Sequence, residues 1–480
     1  MSQWGVTSCF TYTAPNLLIS NTSGSTQYPQ RQILTVGKWY KVSVTCSNVT
    51  GTIRFANQGG VITSTALIIG TTSAYILATD ANLVWIAGNN STATITGFTV
   101  QELSGNHAYQ TVSASRPLLA YTPVSGVRNV ATHSTNAADA SWNFIGTRTS
   151  GVADSKGSLN AVRWSGVSTV PTKGCTVQKT GVHTVTMRLK VESASGSCVV
   201  LVRNNTKNTN YATGTLGGTT GIVLGAGWSA KAIGNGFWEC TYTTPSLDAG
   251  DFIQAYFGAT DTTVSTFAVV IEGLQVELGT SATPLQKTTT LLNVTEDGVE
   301  STYSLYFDGI DDFLQTNNID FTATDEVSVF AGVRKLSDAK VALVCELSAD
   351  LGLNNGTFYL AAPAVAGSGS ITFNSKGTSF APAGGPAFAP VSKVVAGSAK
   401  ITEPRTSIRI DGVLKSSTGS AQGLGNYGNY PLYIGRRGGA SLPFNGHLYS
   451  LIIMGRLASA EETSTIEKEL AKRTGVTLSV

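Results

Sequence analysis

Asp308, Asp311 and Asp312 form the densest acidic cluster in the chain. Carboxylates so grouped suit a hard cation such as calcium, which takes oxygen ligands. Asp308-Gly309 reads first as a tight turn, however, and turns need no ion. A second group is Asn426, Tyr427, Asn429 and Tyr430 in the Gly-rich loop 423–430, with Arg436 beyond it. A pyranose has an apolar face and a polar rim, so a sugar site pairs an aromatic platform with Asn or Arg. These five residues are therefore the candidate carbohydrate-binding set. The competing reading is a Gly-rich hairpin whose tyrosines pack on neighbours. Trp228, between Gly227 and Ser229, is a further candidate platform, read before that as core or interface. His107, His133, His183 and His447 are far apart in sequence and read as structural or surface groups. With no G-x-S-x-G, P-loop or H-E-x-x-H motif, no catalytic residue is assigned and no enzyme is expected.

Residues of these kinds need a scaffold, and composition limits which one. Charged residues are 13 % of the 480-residue chain, well below the usual ~25 %. The polar share is uncharged instead: 52 Gly and about 110 Ser and Thr. That mixture favours short strands joined by tight turns and opposes both disorder and helical bundles. A formal net charge of +3 gives no strong field to attract nucleic acid or an acidic membrane. No apolar run reaches the roughly 18 residues a spanning helix needs, so no membrane insertion is expected. Met1-Ser2-Gln3-Trp4-Gly5 lacks the basic start and apolar run of a secretory leader. Six cysteines, at 9, 46, 175, 198, 240 and 345, show no C-x-x-C spacing. Reduced, structural thiols in a protein folded in a cytoplasm are expected, with a Cys198–Cys240 bridge left open.

Period-two alternation marks the strands. Val185, Met187, Leu189 and Val191 alternate with Thr184, Thr186, Arg188 and Lys190, and Tyr40, Val42, Val44 and Cys46 with Lys41, Ser43 and Thr45. Each pattern predicts an antiparallel strand with one face on a core and one in water. Ile408 and Ile410 run into Asp411-Gly412, whose tolerance of positive φ suits a hairpin turn. Trp39, Trp164 and Trp238 lie in strand-like runs and are core candidates. Ile95-Thr96-Gly97-Phe98-Thr99-Val100-Gln101-Glu102-Leu103 echoes Ile271-Glu272-Gly273-Leu274-Gln275-Val276-Glu277-Leu278, and the echo predicts two diverged copies of one sandwich. Each copy opens on an Asn-led strand, Asn16-Leu17-Leu18-Ile19 and Asn129-Val130-Ala131. The chain thus divides into an N-terminal segment 1–13, a β-sandwich 14–104, a linker 105–127, a jelly-roll sandwich 128–285, a linker 286–300 and a domain 301–480. Near the end, Ser459-Ala460-Glu461-Glu462 predicts a capping box, Ile466 and Leu470 an apolar i,i+4 pair, and Gly475 the stop of one short helix. The fold class is all-β: tandem antiparallel β-sandwiches with one short C-terminal helix.

Residues 301–480 resemble the concanavalin A-like, or laminin-G-like, lectin domains. The carriers are Leu305-Tyr306-Phe307-Asp308-Gly309-Ile310-Asp311-Asp312-Phe313-Leu314, the Ile408–Val413 hairpin, Leu432-Tyr433-Ile434-Gly435-Arg436 and Phe444-Asn445-Gly446-His447-Leu448. That resemblance implies a lectin fold, with calcium in some members. The lectin-fold glucanases carry E-x-D-x-x-E on one strand, and the string is absent here. Residues 128–285 resemble the jelly-roll modules of bacteriophage structural proteins, through Arg128-Asn129-Val130, Gly236-Phe237-Trp238-Glu239-Cys240 and the strand ending Glu277-Leu278-Gly279-Thr280. Gly105-Asn106-His107-Ala108 and Ser115-Arg116-Pro117 resemble a linker that precedes lectin-like domains in phage proteins, yet here it leads into the middle sandwich, as though that module were inserted. The resemblance implies a virion protein: a capsid decoration, head-fibre or tail-fibre subunit, homotrimeric, on the virion surface beside other capsid or tail proteins. The alternative is a host-surface carbohydrate-binding adhesin, with a glycoside hydrolase third.

Overall fold

The computed structural model describes residues 10–13, 16–57, 65–103, 105–143, 146–167, 171–194, 198–216, 225–259, 266–403 and 405–479. It comprises two compact units, Met1–Ala108 and Tyr109–Val480. In the first, a five-stranded sheet in the order Phe10–Thr13, Asn16–Asn21, Ser91–Leu103, Trp39–Thr50, Gly70–Leu77 accompanies a four-stranded one. Tyr40, Val42, Val44 and Cys46 are buried as their alternation predicts, joining Ile19, Phe55, Trp85 and Ile95 in the core. Trp39 is only half-buried, edge-on to His107 with ring centroids 6.1 Å apart.

The second unit holds two sandwiches. The middle one pairs a six-stranded sheet with a five-stranded sheet. Trp142 and Trp164 lie in the core between them, with Val185, Met187, Leu189 and Phe257, while Trp228 and Trp238 are partly buried against its edge. Thr184 and Thr186 are buried as well, against the expectation of a wet outer face. The chain returning after Leu278 covers them in part, and the Thr184 hydroxyl donates to the Gly279 carbonyl (2.9 Å). Cys46, Cys175, Cys240 and Cys345 are free and buried. The Cys198–Cys240 bridge left open by spacing is therefore not formed. Burial pushes the Cys175, Cys240 and Cys345 thiols up to about 12. The side chain of Cys198, and Cys9, lie outside the described residues.

The internal repeat reappears as topology. In both modules a 13-residue strand, Ser91–Leu103 or Thr266–Leu278, pairs antiparallel with a 12-residue strand, Trp39–Thr50 or His183–Ala194. Thr45 faces Gly97 and Cys46 faces Ile95, so Thr96 is an extra residue in its strand. Arg188 faces Gly273 and Leu189 faces Ile271, so Glu272 is extra at the matching place. Both copies thus keep one β-bulge, where an unpaired residue bends the strand and re-aims its side chain. The Asn-led openings do not match. Asn16 begins a strand, but Asn129 does not. Its fully buried side chain instead binds backbone, donating to Leu274 and Gln286 carbonyls and accepting from the Ala131 and Val276 amides. The strand beside Thr266–Leu278 is Ala161–Val167.

Neither segment read as a linker is one. Leu118–Pro123 pairs residue for residue with Ser301 to Tyr306 of the strand Ser301–Asp308, and Asn293–Glu296 lies parallel to it. Both join a nine-stranded sheet with the C-terminal strands. Earlier still, the Ser115 hydroxyl donates to Asp311 (2.7 Å) and Tyr109 exchanges backbone bonds with Gln315. The partners of Leu118–Pro123 come from beyond the middle sandwich, so no local pattern announces the pairing. A six-stranded sheet closes the C-terminal core around Phe307, Val329, Phe358, Phe373 and Phe444. Asp411 and Gly412 take φ of 52° and 82°, the turn their sequence requires. The helix Ala460–Thr474 has its capping box, Ser459 with Glu462, and Gly475 at φ 68°. Its Ile466 and Leu470 pack on the outer face of the nine-stranded sheet with Phe330 and Val394.

Candidate functional site

The structure does not assemble the sugar set read from the sequence. Tyr427 is 1 % exposed; its ring stands edge-on to Phe358 and its hydroxyl bonds the Ser375 hydroxyl (2.7 Å). It is a core residue and cannot stack on a ligand, because Gly428 and Gly356 let the loop sink inward. A Cβ on Gly356 would lie 2.3 Å from the Asn426 carbonyl. Tyr430 lies over Gly428, its hydroxyl donating to the Asn355 carbonyl (3.1 Å). Asn426 donates to the Thr322 carbonyl (2.6 Å), and Asn429 begins the strand Asn429–Ile434. Arg436 lies past the far end of that strand. At about 3.3 Å per residue, six residues put it roughly 20 Å from Tyr430. There it donates to the Asp311 and Ala440 carbonyls.

Asp308, Asp311 and Asp312 do converge, with ligand oxygens within 4.8 Å of one another. One oxygen of each carboxylate accepts a hydrogen bond. Asp312 accepts from the Asp308 amide (2.9 Å), Asp308 from the Ile310 amide (2.7 Å) and Asp311 from Ser115. Burial raises the Asp312 carboxyl above its usual range, and its two acidic neighbours add to this. Asp308 thus makes an Asx turn, and these bonds use one oxygen of each carboxylate.

A different place gathers the chemistry. The outer face of the nine-stranded sheet is open where the helix does not reach, and the middle sandwich forms the opposite wall. The resulting cavity has a volume of about 740 Å³, within the range of ligand pockets. Leu305 and Phe307 turn toward the core, so Tyr306 between them turns out; Leu448 likewise leaves His447 and Tyr449 outward. Register places His447 opposite Tyr306 on one side and opposite Arg334 on the other. The rings form a row, Tyr306–His447 at 5.2 Å and His447–Tyr449 stacked at 6.3 Å. Asn445, Gln178 and Lys179 supply polar groups, and His183, 2 % exposed, lines the same cavity with its Nδ1 against the Gly181 carbonyl (2.9 Å). Two histidines far apart in sequence thus share one cavity.

The electrostatics of the groove are one-sided. Arg128, Lys179 and Arg334 line it, and among the described residues no Asp or Glu does. Arg128 is paired with Glu296 at 2.8 Å. Arg334 is half-buried and its side chain has neither an ion pair nor a hydrogen bond among the described residues. It lies over Gly126 at φ 89°, where a Cβ would come 2.8 Å from its Nη1. Burial, and then Arg334, lower the His447 imidazole to about 4, so it is neutral near pH 7. Burial raises the Tyr306 and Tyr449 phenols, which are also neutral there. The sequence reading missed Tyr306, Arg334 and Tyr449. Outward rings at Tyr306 and Tyr449, each beside a buried apolar residue, were the available signal.

A second cavity of about 650 Å³ lies on the middle sandwich at the Glu272 bulge. Its charges are mutually satisfied: Arg188 with Glu239 (2.6 Å) and Glu272 (3.2 Å), and Asp297 with Lys156 (2.6 Å) and Lys287 (2.8 Å).

No protein-family model and no curated protein matches the chain. Among solved structures it is similar to the CBM40 of the Ruminococcus gnavus IT-sialidase bound to alpha2,3 sialyllactose, at 14 % identity and TM-score 0.26, covering 32 % of this chain and 97 % of that one. It is similar too to the SAP-like pentraxin of Limulus polyphemus, at 12 % identity and TM-score 0.28, covering 34 % and 80 %. A third is the botulinum neurotoxin serotype D binding domain, at 13 % identity and TM-score 0.28, covering 35 % and 42 %. At these scores the likenesses bear on neither ligand nor activity.

Proposed function

We propose that the chain is a carbohydrate-binding structural protein of a bacteriophage particle, a capsid decoration, head-fibre or tail-fibre subunit that displays lectin-like sandwiches on the virion surface. The observation that supports binding is the groove, where a row of rings, amide side chains and an unpaired half-buried cation converge. A glycosidase needs two carboxylates across its sugar site. A lining without any suits holding a sugar rather than cleaving one. The virion assignment rests on the resemblances of 128–285 and of the 105–117 segment to phage proteins. Free, buried thiols are compatible with folding in a reducing cytoplasm before display. Homotrimeric assembly through sandwich faces or strand edges belongs to the same proposal.

The groove equally favours a second reading, a host-surface adhesin whose glycan ligand is its main purpose. Co-sedimentation separates the two. Purified, labelled chain is mixed with particles depleted of it, and separately with host cells. Saturable binding to particles alone supports the assembly role. Binding to cells that free sugars compete away supports the adhesin. Binding to neither overturns the virion reading.

A further inference from the structure

We infer that the groove walled by the middle and C-terminal sandwiches selects acidic glycans, with Arg334 holding an oxyanion of the sugar while Tyr306 and Tyr449 carry its apolar face. This rests on the carbohydrate-binding reading above and names its ligand class.

The argument starts from what a half-buried guanidinium requires. A charge taken partly out of water is retained when it is paired. Elsewhere in the same unit half-buried guanidiniums find oxygen partners: Arg203 bonds the Asn208 and Asn210 amide oxygens, and Arg436 the Asp311 and Ala440 carbonyls. Arg128, Arg163, Arg188, Arg409 and Arg437 each face a carboxylate at 2.6–2.9 Å. Arg334 is the contrast. The groups around it are His447 from the strand Asn445–Met454, Tyr449 two residues on, Tyr306 beyond His447, Ser392 opposite it on the strand Val391–Lys400, and the backbone at Gly126. None of these carries a negative charge, and His447 is held neutral, so no counter-ion comes from the described residues. The remaining cation at the rim, Lys179, is exposed and adds to the same field.

A ligand that completes this site brings its own anion. The planar guanidinium fork matches a carboxylate or a sulfate through two parallel N–H···O bonds. The adjoining row of rings matches the apolar face of a pyranose. Both requirements meet in one molecule when the anion is carried on a sugar, as in a uronic acid or a sulfated hexose. A free inorganic anion would leave the rings unused, and a neutral glycan would leave Arg334 unpaired.

The test is binding of the purified full chain to an immobilised panel of oligosaccharides in which neutral, uronic-acid and sulfated members share one backbone. Wild type, Arg334→Gln and Arg334→Lys are compared at two salt concentrations. The expected result is preference for acidic members, weakened by salt, reduced ~10-fold or more by Arg334→Gln and partly restored by Arg334→Lys. Which acidic arm responds tells a carboxylate from a sulfate. Folding of each variant is read from the thermal transition, and Arg334→Lys keeps the test alive if Arg334→Gln fails to fold. Equal binding of neutral members, or acidic binding indifferent to Arg334, overturns this inference and leaves the carbohydrate-binding reading standing. Binding to no member overturns both.

Discussion

His447 offers a measurement that reads the groove without any ligand. Its imidazole sits at about 4 in the folded protein against a usual value of 6.5. Between those values the unfolded chain binds a proton that the folded chain refuses. Stability from this residue is therefore full above about pH 6.5 and falls as pH drops toward 4. With a free value of 6.5 and a folded value near 4, integration from pH 7 to pH 4 gives a loss of about 3 kcal/mol. The residue is 9 % exposed, so solvent screening removes little of this. All seven tryptophans precede residue 239, so fluorescence does not report on this domain. Hydrogen exchange of peptides covering Asn445–Met454 does. Wild type and His447→Gln are compared at both pH values, so that acid effects common to both cancel. Wild type should lose about 100-fold more protection than the variant, the factor that ~3 kcal/mol implies. Equal pH dependence in the two, or an imidazole resonance titrating near 6.5 in histidine-labelled protein, would refute the reasoning.

Further outcomes follow from other residues. Tyr427→Phe should cost about 1–2 kcal/mol by leaving the Ser375 hydroxyl without its bond, and should leave glycan binding unchanged; a thermal melt and the oligosaccharide panel check both. Gly446→Ala places a Cβ 2.2 Å from the Arg334 carbonyl, so it should destabilise by roughly 1–3 kcal/mol or more and weaken binding by shifting Arg334. Of six cysteines, the four buried ones should resist a thiol reagent until denaturant is added, leaving at most two reactive in the native protein. Trp164→Ala, at 0 % exposure in the middle core, should cost about 3–5 kcal/mol in calorimetry.

The strands were legible because each alternates against a core. The helix was legible because its cap and stop are local chemistry at Ser459 and Gly475. The repeat was legible too, since Gly97 and Gly273 sit at the same step of the same bulge. Pairing across distance was not. Nothing in Leu118–Pro123 says that its partner is Ser301–Asp308, because that partnership is set by where the chain returns. The candidate site failed for the same reason. Tyr427 and Tyr430 were neighbours in sequence, but burial is decided by Phe358 and Ser375, which lie elsewhere. Tyr306, Arg334 and His447 are neighbours only by register.

The pairing of Leu118–Pro123 with Ser301–Asp308 has a mechanical consequence. The chain leaves the C-terminal sandwich, builds the middle one and comes back to the same sheet, so two covalent crossings join the modules side by side. The crossings are also bonded to each other, Val124 to Glu300 and Arg128 to Gln286 and Glu296. A single tether swivels, whereas a pair fastened together resists both bending and twist. Tension applied between Tyr109 and the C-terminus would load the C-terminal sheet and spare the middle sandwich, which lies off the line of force as a side branch. The same arrangement makes the middle sandwich a replaceable cassette, since its two ends already lie close enough for a short loop to join them.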